Sequence, residues 1–250
     1  MTDEDVARLR EQYLDAGRRE PHQVVTLTDE EIVAIDGVET VAPRFWYDAQ
    51  PEPARATAVA VAARGLVARG WAAADPTATT VDDLALQAVG PLLAVLALRR
   101  EARLVLLAEQ QLEGERRARV YYLLPAAMAL EEAVNSAGLH RFTAMTTRHG
   151  IDSLAQWCDP FETPSPAQPR EHAVDATTDL TTLSATVLGD TRVVSVIASV
   201  SGRADTRREL YLSVYAGADR LTTGSRDGTV LRLRDVGRPE LADILTEMVE

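Results

Sequence analysis

Arg103-Leu-Val105-Leu-Leu-Ala-Glu-Gln-Gln-Leu-Glu-Gly-Glu-Arg-Arg-Ala-Arg119-Val-Tyr-Tyr122-Leu123 is echoed later in the chain by a stretch running from Arg192 and Val194 to Arg208, Tyr211 and Leu212. Arg103, Val105, Arg119, Tyr122 and Leu123 recur at a constant spacing of 89 positions. Further on, Gly150, Leu154 and Ala155 recur as Gly237, Leu241 and Ala242 at a spacing of 87, as a two-residue deletion between the copies would give. Both stretches read as strand, polar turn, strand, turn, strand, and then a helix opened by glycine. Any two antiparallel β-β-β-α units share residue types through period-2 alternation, but a constant spacing favours duplication of one unit. The expected fold is therefore α+β: a central antiparallel sheet flanked by helices, with a quasi-twofold internal duplication.

Outward from this pair, the chain divides into an N-terminal appendage helix (1–22), a first α+β half (23–158), a linker (159–175) and a strand-rich second half (176–250), together one compact domain. Val6, Leu9 and Leu14 give 3–16 the spacing of a short amphipathic helix, loosely docked. Val24–Leu27 reads as a strand, and Thr28-Asp29-Glu30-Glu31 as a capping box opening a helix. Pro43–Pro53 reads as extended and irregular. A helix follows over Ala54–Gly70 with Val59, Val61, Leu66 and Val67 on its apolar face, then a second over Val81–Val89. Strands are expected at Leu92–Leu98 after Gly90-Pro91, at Arg103–Ala108, Ala118–Leu124 and Leu139–Thr146. The segment Ala126–Asn135 is open between helix and strand, with helix favoured, and Ile151–Cys158 is a helix. Pro160, Pro164, Pro166 and Pro169 mark the linker as unable to sustain a helix or a central strand. Beyond it come strands at Leu183–Leu188, Arg192–Val200, Glu209–Tyr215, Arg220–Thr223 and Thr229–Arg234, and a helix from Glu240 to Val249 opened by Pro239.

With 250 residues, 46% hydrophobic and 26% charged, the chain is long enough to bury a substantial core, and disorder of the whole is excluded. A net charge of −12 opposes nucleic acid as the main partner. All 26 basic residues are arginine, a bias that suggests a GC-rich actinobacterial gene and excludes any Schiff-base, P-loop or general-base lysine. Cys158 is the single cysteine, so no internal disulfide forms. The absence of a basic, apolar leader and of an apolar run of about 20 residues gives the expectation of a cytoplasmic protein with no membrane span.

Candidate chemistry is sparse. His22, His140, His149 and His172 show no metal-ligand spacing, and a structural or solvent-facing role is expected for each. Cys158 with His149 could form a nucleophile–base pair, yet Cys158 falls on an apolar helix face where a buried inert thiol is the better reading. The glycine-containing turns at Ser201-Gly202-Arg203 and Thr222–Gly228 lead into no helix and read as hairpins rather than phosphate loops. Glu131-Glu132 and Asp82-Asp83 read as solvated helix faces. No catalytic residue, cofactor site or metal site is assigned. Phe45-Trp46-Tyr47 reads either as a plug sealing the sheet or as a recognition patch, and Leu112 in the polar turn with Glu113 and Gly114 as a contact point. Partner-binding candidates are thus Phe45, Trp46, Tyr47, Leu112, Glu113 and Gly114.

The order of elements resembles the EspG family of type VII (ESX) secretion. The residues that carry the resemblance are the opening Val25-Thr26-Leu27-Thr28-Asp29-Glu30-Glu31, the helix running into Ala63-Arg64-Gly65-Leu66, Gly90-Pro91, and a β-rich close with Asp227-Gly228-Thr229-Val230 and a final helix. The resemblance implies a quasi-twofold fold with an antiparallel sheet flanked by helical bundles. It also implies a non-catalytic cytosolic chaperone or adaptor, monomeric or homodimeric, that binds a helical secretion substrate of the PE–PPE kind. The alternative is a DNA-binding or ligand-sensing regulator, with Ala54–Gly70 and Val81–Val89 as a helix-turn-helix; Asp82 and Asp83 near the second helix's start would repel phosphates. A third reading, an enzyme whose pocket gathers His149 with acidic residues from distant positions, has no motif behind it.

Overall fold

A computed structural model of the chain describes all residues except 1–2, 75–85, 113, 169, 176–186 and 203–207. They fold as α+β, with antiparallel strand pairing throughout and helices packed on the strands. Two compact units share the chain discontinuously: residues 1–103 with 118–147, and 104–117 with 148–250. This packing does not follow the sequence halves, because the strand at Leu104–Leu112 takes a partner from much later in the chain, Thr191–Ser201.

The first unit holds strands in the order β1 (His22–Thr28), β7 (Leu139–Thr146), β6 (Met128–Val134) and β5 (Glu115–Leu124, from Ala118 on). Helix α1 (Asp3–Arg19) packs on β7 and on α5 (Gly90–Glu101). A Cβ at Gly17 would stand 2.7 Å from the Ala144 carbonyl carbon, so glycine is what lets α1 lie this close to the sheet. Together with buried Leu14 and the Arg10–Glu101 ion pair, this docks the helix firmly rather than loosely. The expected capping box is present: the Glu31 amide donates to the Thr28 hydroxyl and the Thr28 amide to Glu31, opening α2 (Asp29–Asp36). Phe45-Trp46-Tyr47 is not extended but forms one short helix, α3 (Phe45–Ala49). In α4 (Glu52–Ala68), Ala63 and Leu66 are buried while Val61 and Val67 face outward.

Three sequence expectations fail here for physical reasons. Leu92–Leu98 belongs to α5, not to a strand, because a continuous apolar run carries no period and Pro91 suits a first helical turn. The helix is buried on several sides, through Leu92, Ala94, Val95, Leu96 and Leu98. Met128-Ala-Leu-Glu-Glu-Ala-Val134, made of helix formers, is strand β6 because β5 and β7 pair with it on both edges, and tertiary context overrides propensity. Gln87 and Ala88 form a two-residue ladder (β3) with Ala72–Ala73 (β2), so no helix runs through to Val89. The remainder of that expected helix, with Asp82 and Asp83, lies outside the described residues.

The second unit holds β4 (Leu104–Leu112), β9 (Thr191–Ser201), β10 (Arg208–Gly217), β11 (Leu221–Asp227), β12 (Val230–Asp235) and β8 (Glu171–Asp175), in that order. Helices α6 (Thr147–Cys158) and α7 (Arg238–Glu247) cover one face, burying Leu154, Ala155 and Cys158 from α6 and Leu241 and Leu245 from α7. The proline-rich stretch is folded onto this unit. Asp159 accepts hydrogen bonds from the Thr163 amide and hydroxyl and from Arg238, and Arg170 pairs with Asp235. Its last residues, Glu171–Asp175, add an edge strand to β12, where the ladder needs pairing on one side only. Of the strand expected at 183–188, 183–186 lie outside the described residues, and Val187 and Leu188 are in no strand.

The registers of the two halves correspond. In the first, Leu124 pairs with Met128 and Met128 with Thr146; from Ser213, the counterpart of Leu124 at a spacing of 89, the ladder runs to Gly224 and then to Leu233. Thr146 and Leu233 are 87 positions apart, the spacing that separates Gly150, Leu154 and Ala155 from Gly237, Leu241 and Ala242. In both halves the strand that precedes the meander, β1 or β8, pairs with the meander's last strand, β7 or β12.

Candidate functional site

On β9 the alternation of side chains is inverted relative to an ordinary half-buried strand. Val193, Ser195, Ile197 and Ser199 are buried, whereas Val194 and Val196 are 39% and 47% exposed and Ala198 and Val200 half-buried. The buried polar groups are satisfied on the helix side: the Gln110 amide donates to the Ser195 hydroxyl and the Trp157 carbonyl, and the Ser199 hydroxyl donates to the Met248 carbonyl. Ser195 and Ser199 thus share the core face with Val193 and Ile197, while Val194, Val196, Ala198 and Val200 face outward.

Cross-strand register extends this outward face over β4 and β10. Val194 lies between Gln111 and Tyr215, Val196 between Glu109 and Ser213, Ala198 between Leu107 and Tyr211, and Val200 between Val105 and Glu209. Tyr211 is 60% exposed. The face is therefore an apolar strip of β-branched and aromatic side chains with carboxylates at two of its margins; Glu109 pairs with Arg116 at 3.1 Å, and Glu209 accepts from the Tyr211 hydroxyl at 2.5 Å. Contiguous apolar surface of this kind marks interaction sites on soluble proteins. The signal in the sequence was Val193-Val-Ser-Val-Ile-Ala-Ser-Val200, where neither alternate set is polar enough to be the wet face.

The candidates chosen from sequence fall in different units. In the first, Tyr47 is buried and flanked by the Arg44 and Arg55 guanidiniums at 5.4 Å each, Phe45 is half-buried, and Trp46 is 36% exposed. The segment therefore divides residue by residue between core and surface. In the second, Leu112 is half-buried at the end of β4 and Gly114 is exposed in the turn at φ 87°, which favours glycine. Glu113 lies outside the described residues.

A buried ionic cluster in the first unit was missed. His140 is fully buried on β7, with Nε2 2.5 Å from Asp29 Oδ1 and Nδ1 2.7 Å from Glu132 Oε1. Asp29 Oδ2 accepts the Trp46 and Tyr47 amides at 3.0 and 2.8 Å, capping α3. Glu132 Oε2 accepts the Tyr122 hydroxyl at 2.6 Å, and Arg99 donates to the Tyr122 hydroxyl and to Asp36. Burial alone would lower the His140 pKa, but its bonds to the two carboxylates outweigh this and raise it above the ordinary histidine value. Burial would likewise raise Glu132, and the His140 bond and the Arg99 charge bring it below the ordinary carboxylate value. Glu131, beside it on β6, accepts from Tyr121 and Arg119. Neither glutamate is on a solvated helix face: both are buried in a strand whose partners supply the donors. This cluster is structural in form, with the described carboxylate oxygens and ring nitrogens taken up by one another and by donors from β5, α3 and α5. No group of three or more His, Cys, Asp or Glu able to hold a metal occurs among the described residues. His149 is exposed near the start of α6 and Cys158 is buried at its end, nine residues on.

A cavity of about 430 Å³ lies in the second unit between β8, β11, β12 and α7, lined by His172, Thr223, Arg232, Leu233, Arg234 and Ile244 among others. No described helix is long and apolar enough to cross a membrane.

No protein-family model and no curated protein sequence matches the chain. Among solved structures, its fold is similar to that of the Mycobacterium tuberculosis type VII secretion system chaperone EspG5, determined in complex with a PE25–PPE41 dimer. The likeness has a TM-score of 0.55 at 9% sequence identity, over 90% of this chain and 95% of that one.

Proposed function

We propose that this chain is a non-catalytic chaperone or adaptor that binds a helical protein client of a type VII secretion system, of the PE–PPE kind, in the cytoplasm. The observation that carries the reading is the outward apolar face of β4, β9 and β10, with Val194, Val196 and Tyr211 exposed while serines of the same strand are buried. A face built this way costs solubility unless a partner covers it. The fold likeness to a chaperone solved in complex with a PE25–PPE41 dimer supports this reading of the partner. Gly114, exposed in the turn after β4, borders the proposed contact, and Trp46 offers a second point in the first unit; Leu112, in register with buried Val193, belongs to the other face of the sheet and is left out of it. A standard interface of roughly 1,200–2,000 Å² needs more than these few side chains, so the client covers much of the strip. We further propose that the two halves descend from one duplicated unit, supported by the agreement of register and sequence spacing.

The reading is tested by capturing the tagged chain from its native host and identifying what co-purifies after a salt wash. Stoichiometric recovery of a helical secretion substrate supports it. Recovery of no protein partner, or of one defined DNA sequence, refutes it.

A further inference from the structure

We propose that His140 is a proton-operated latch: as the imidazolium it ties Asp29 to Glu132 and so holds helix α3, with Trp46, in place, and loss of its proton to solvent releases that helix.

The argument is a count of protons and lone pairs. Both ring nitrogens of His140 face carboxylate oxygens, at 2.5 and 2.7 Å, in a site that no solvent reaches. The other oxygen of each carboxylate is already occupied, on Asp29 by the Trp46 and Tyr47 amides and on Glu132 by the Tyr122 hydroxyl. A neutral imidazole has one N–H, so one nitrogen lone pair would then face a carboxylate oxygen at hydrogen-bond distance. One of the two contacts must open.

The surroundings decide which. Glu132 sits in β6, paired on both edges, with Tyr122 on β5 holding it and Arg99 on α5 3.9 Å away. Asp29 sits at the first turn of α2, anchored by its amide to the Gly138 carbonyl. From the other elements around the ring, β1 contributes uncharged Leu27 opposite His140, and α2 adds Asp36, which Arg99 neutralises at 2.8 Å. Arg99 therefore compensates Glu132 and Asp36, while among these charged groups His140 is the one that answers Asp29. Loss of the proton frees Asp29, and with it the cap that orders Trp46 and Tyr47.

Nuclear magnetic resonance on the full chain tests this. Ring ¹⁵N shifts of the four histidines report their protonation, with His140 assigned by its absence in His140→Gln, and amide exchange is followed at Trp46 and Tyr47 from pH 6 to 10. The expected result is a charged His140 at neutral pH, and protection of these two amides, corrected for intrinsic exchange, that falls about tenfold per pH unit above the His140 midpoint while amides of β6 keep theirs. Asp29→Asn, which retains an oxygen acceptor without the charge, flattens the profile. A neutral His140 at pH 7 overturns the proposal, as does protection at Trp46 and Tyr47 that follows that of β6 through the titration; the wild-type measurement decides even if a variant fails to fold.

Discussion

Replacing His140 by alanine removes the one cation between two fully buried carboxylates. In the folded protein Asp29 and Glu132 have no exposure, and each approaches the ring within 2.7 Å. Breaking a buried charge cluster by deleting one partner costs about 3–5 kcal/mol, because the remaining charges stay desolvated without their counterion. Against a typical domain stability of about 5–15 kcal/mol, that loss is readily measured by urea unfolding followed by circular dichroism. Its pH dependence carries the sign of the mechanism. In the wild type the raised His140 pKa contributes stability that is fully present below about pH 6.5, the unfolded value, and is lost as pH rises through the folded pKa. The variant lacks that term, so its deficit is full below about pH 6.5 and shrinks as pH rises through the folded His140 pKa. Replacing the whole cluster, Asp29→Asn with Glu132→Gln and His140→Leu, removes the unpaired charges and recovers most of the loss. A deficit below about 1 kcal/mol for His140→Ala, or one independent of pH, would refute this account of the cluster.

Other positions give independent checks. Gly17→Val places carbon against the Ala144 carbonyl, where a Cβ already stands at 2.7 Å, and should cost about 1–3 kcal/mol and speed proteolytic cleavage around α1. Gly138→Ala combines φ 72° with a Cβ 2.8 Å from both Asp29 Oδ2 and the Trp46 Cβ, and should lower the melting temperature and raise the fluorescence quenching of Trp46 by iodide. Asp159→Ala leaves the Thr163 amide and Arg238 without their acceptor and should cost about 1–3 kcal/mol, with faster amide exchange at Thr163. On the acid side, the lowered pKa of Glu132 contributes stability present above about pH 4.5 and lost as pH falls through the folded value, so Glu132→Gln should flatten the acid limb of the unfolding profile.

The strand pattern was legible wherever alternation or a turn residue marked it. Leu139–Thr146 has the bounds read from sequence, and the capping box at Thr28 and Glu31 formed as its residue types require. Misreadings came where local preference and tertiary demand diverge. Nothing in Met128–Val134 shows that β5 and β7 will claim both its edges, and the apolar run at Leu92–Leu98 has no period to separate strand from helix. The ionic cluster was hidden for a related reason. Asp29 and His140 are 111 positions apart, and Glu132 reads as solvated only if its segment is a helix. The apolar face was nearer to hand: Val194, Val196 and the buried Ser195 and Ser199 stand in a single octapeptide, but which of the two sets is wet depends on where α6 and α7 pack.

The central claim is that β4, β9 and β10 present a client-binding face. Val196→Arg with Tyr211→Asp alters two outward side chains and should leave stability within about 0.5 kcal/mol. The direct measurement is a quantitative capture from the native host with wild type and this double variant side by side, each first shown to be folded by circular dichroism. Recovery of a stoichiometric helical partner by the wild type and its loss from the variant is the predicted result. The same partner held equally by both would contradict the claim, and would place the client elsewhere on the molecule.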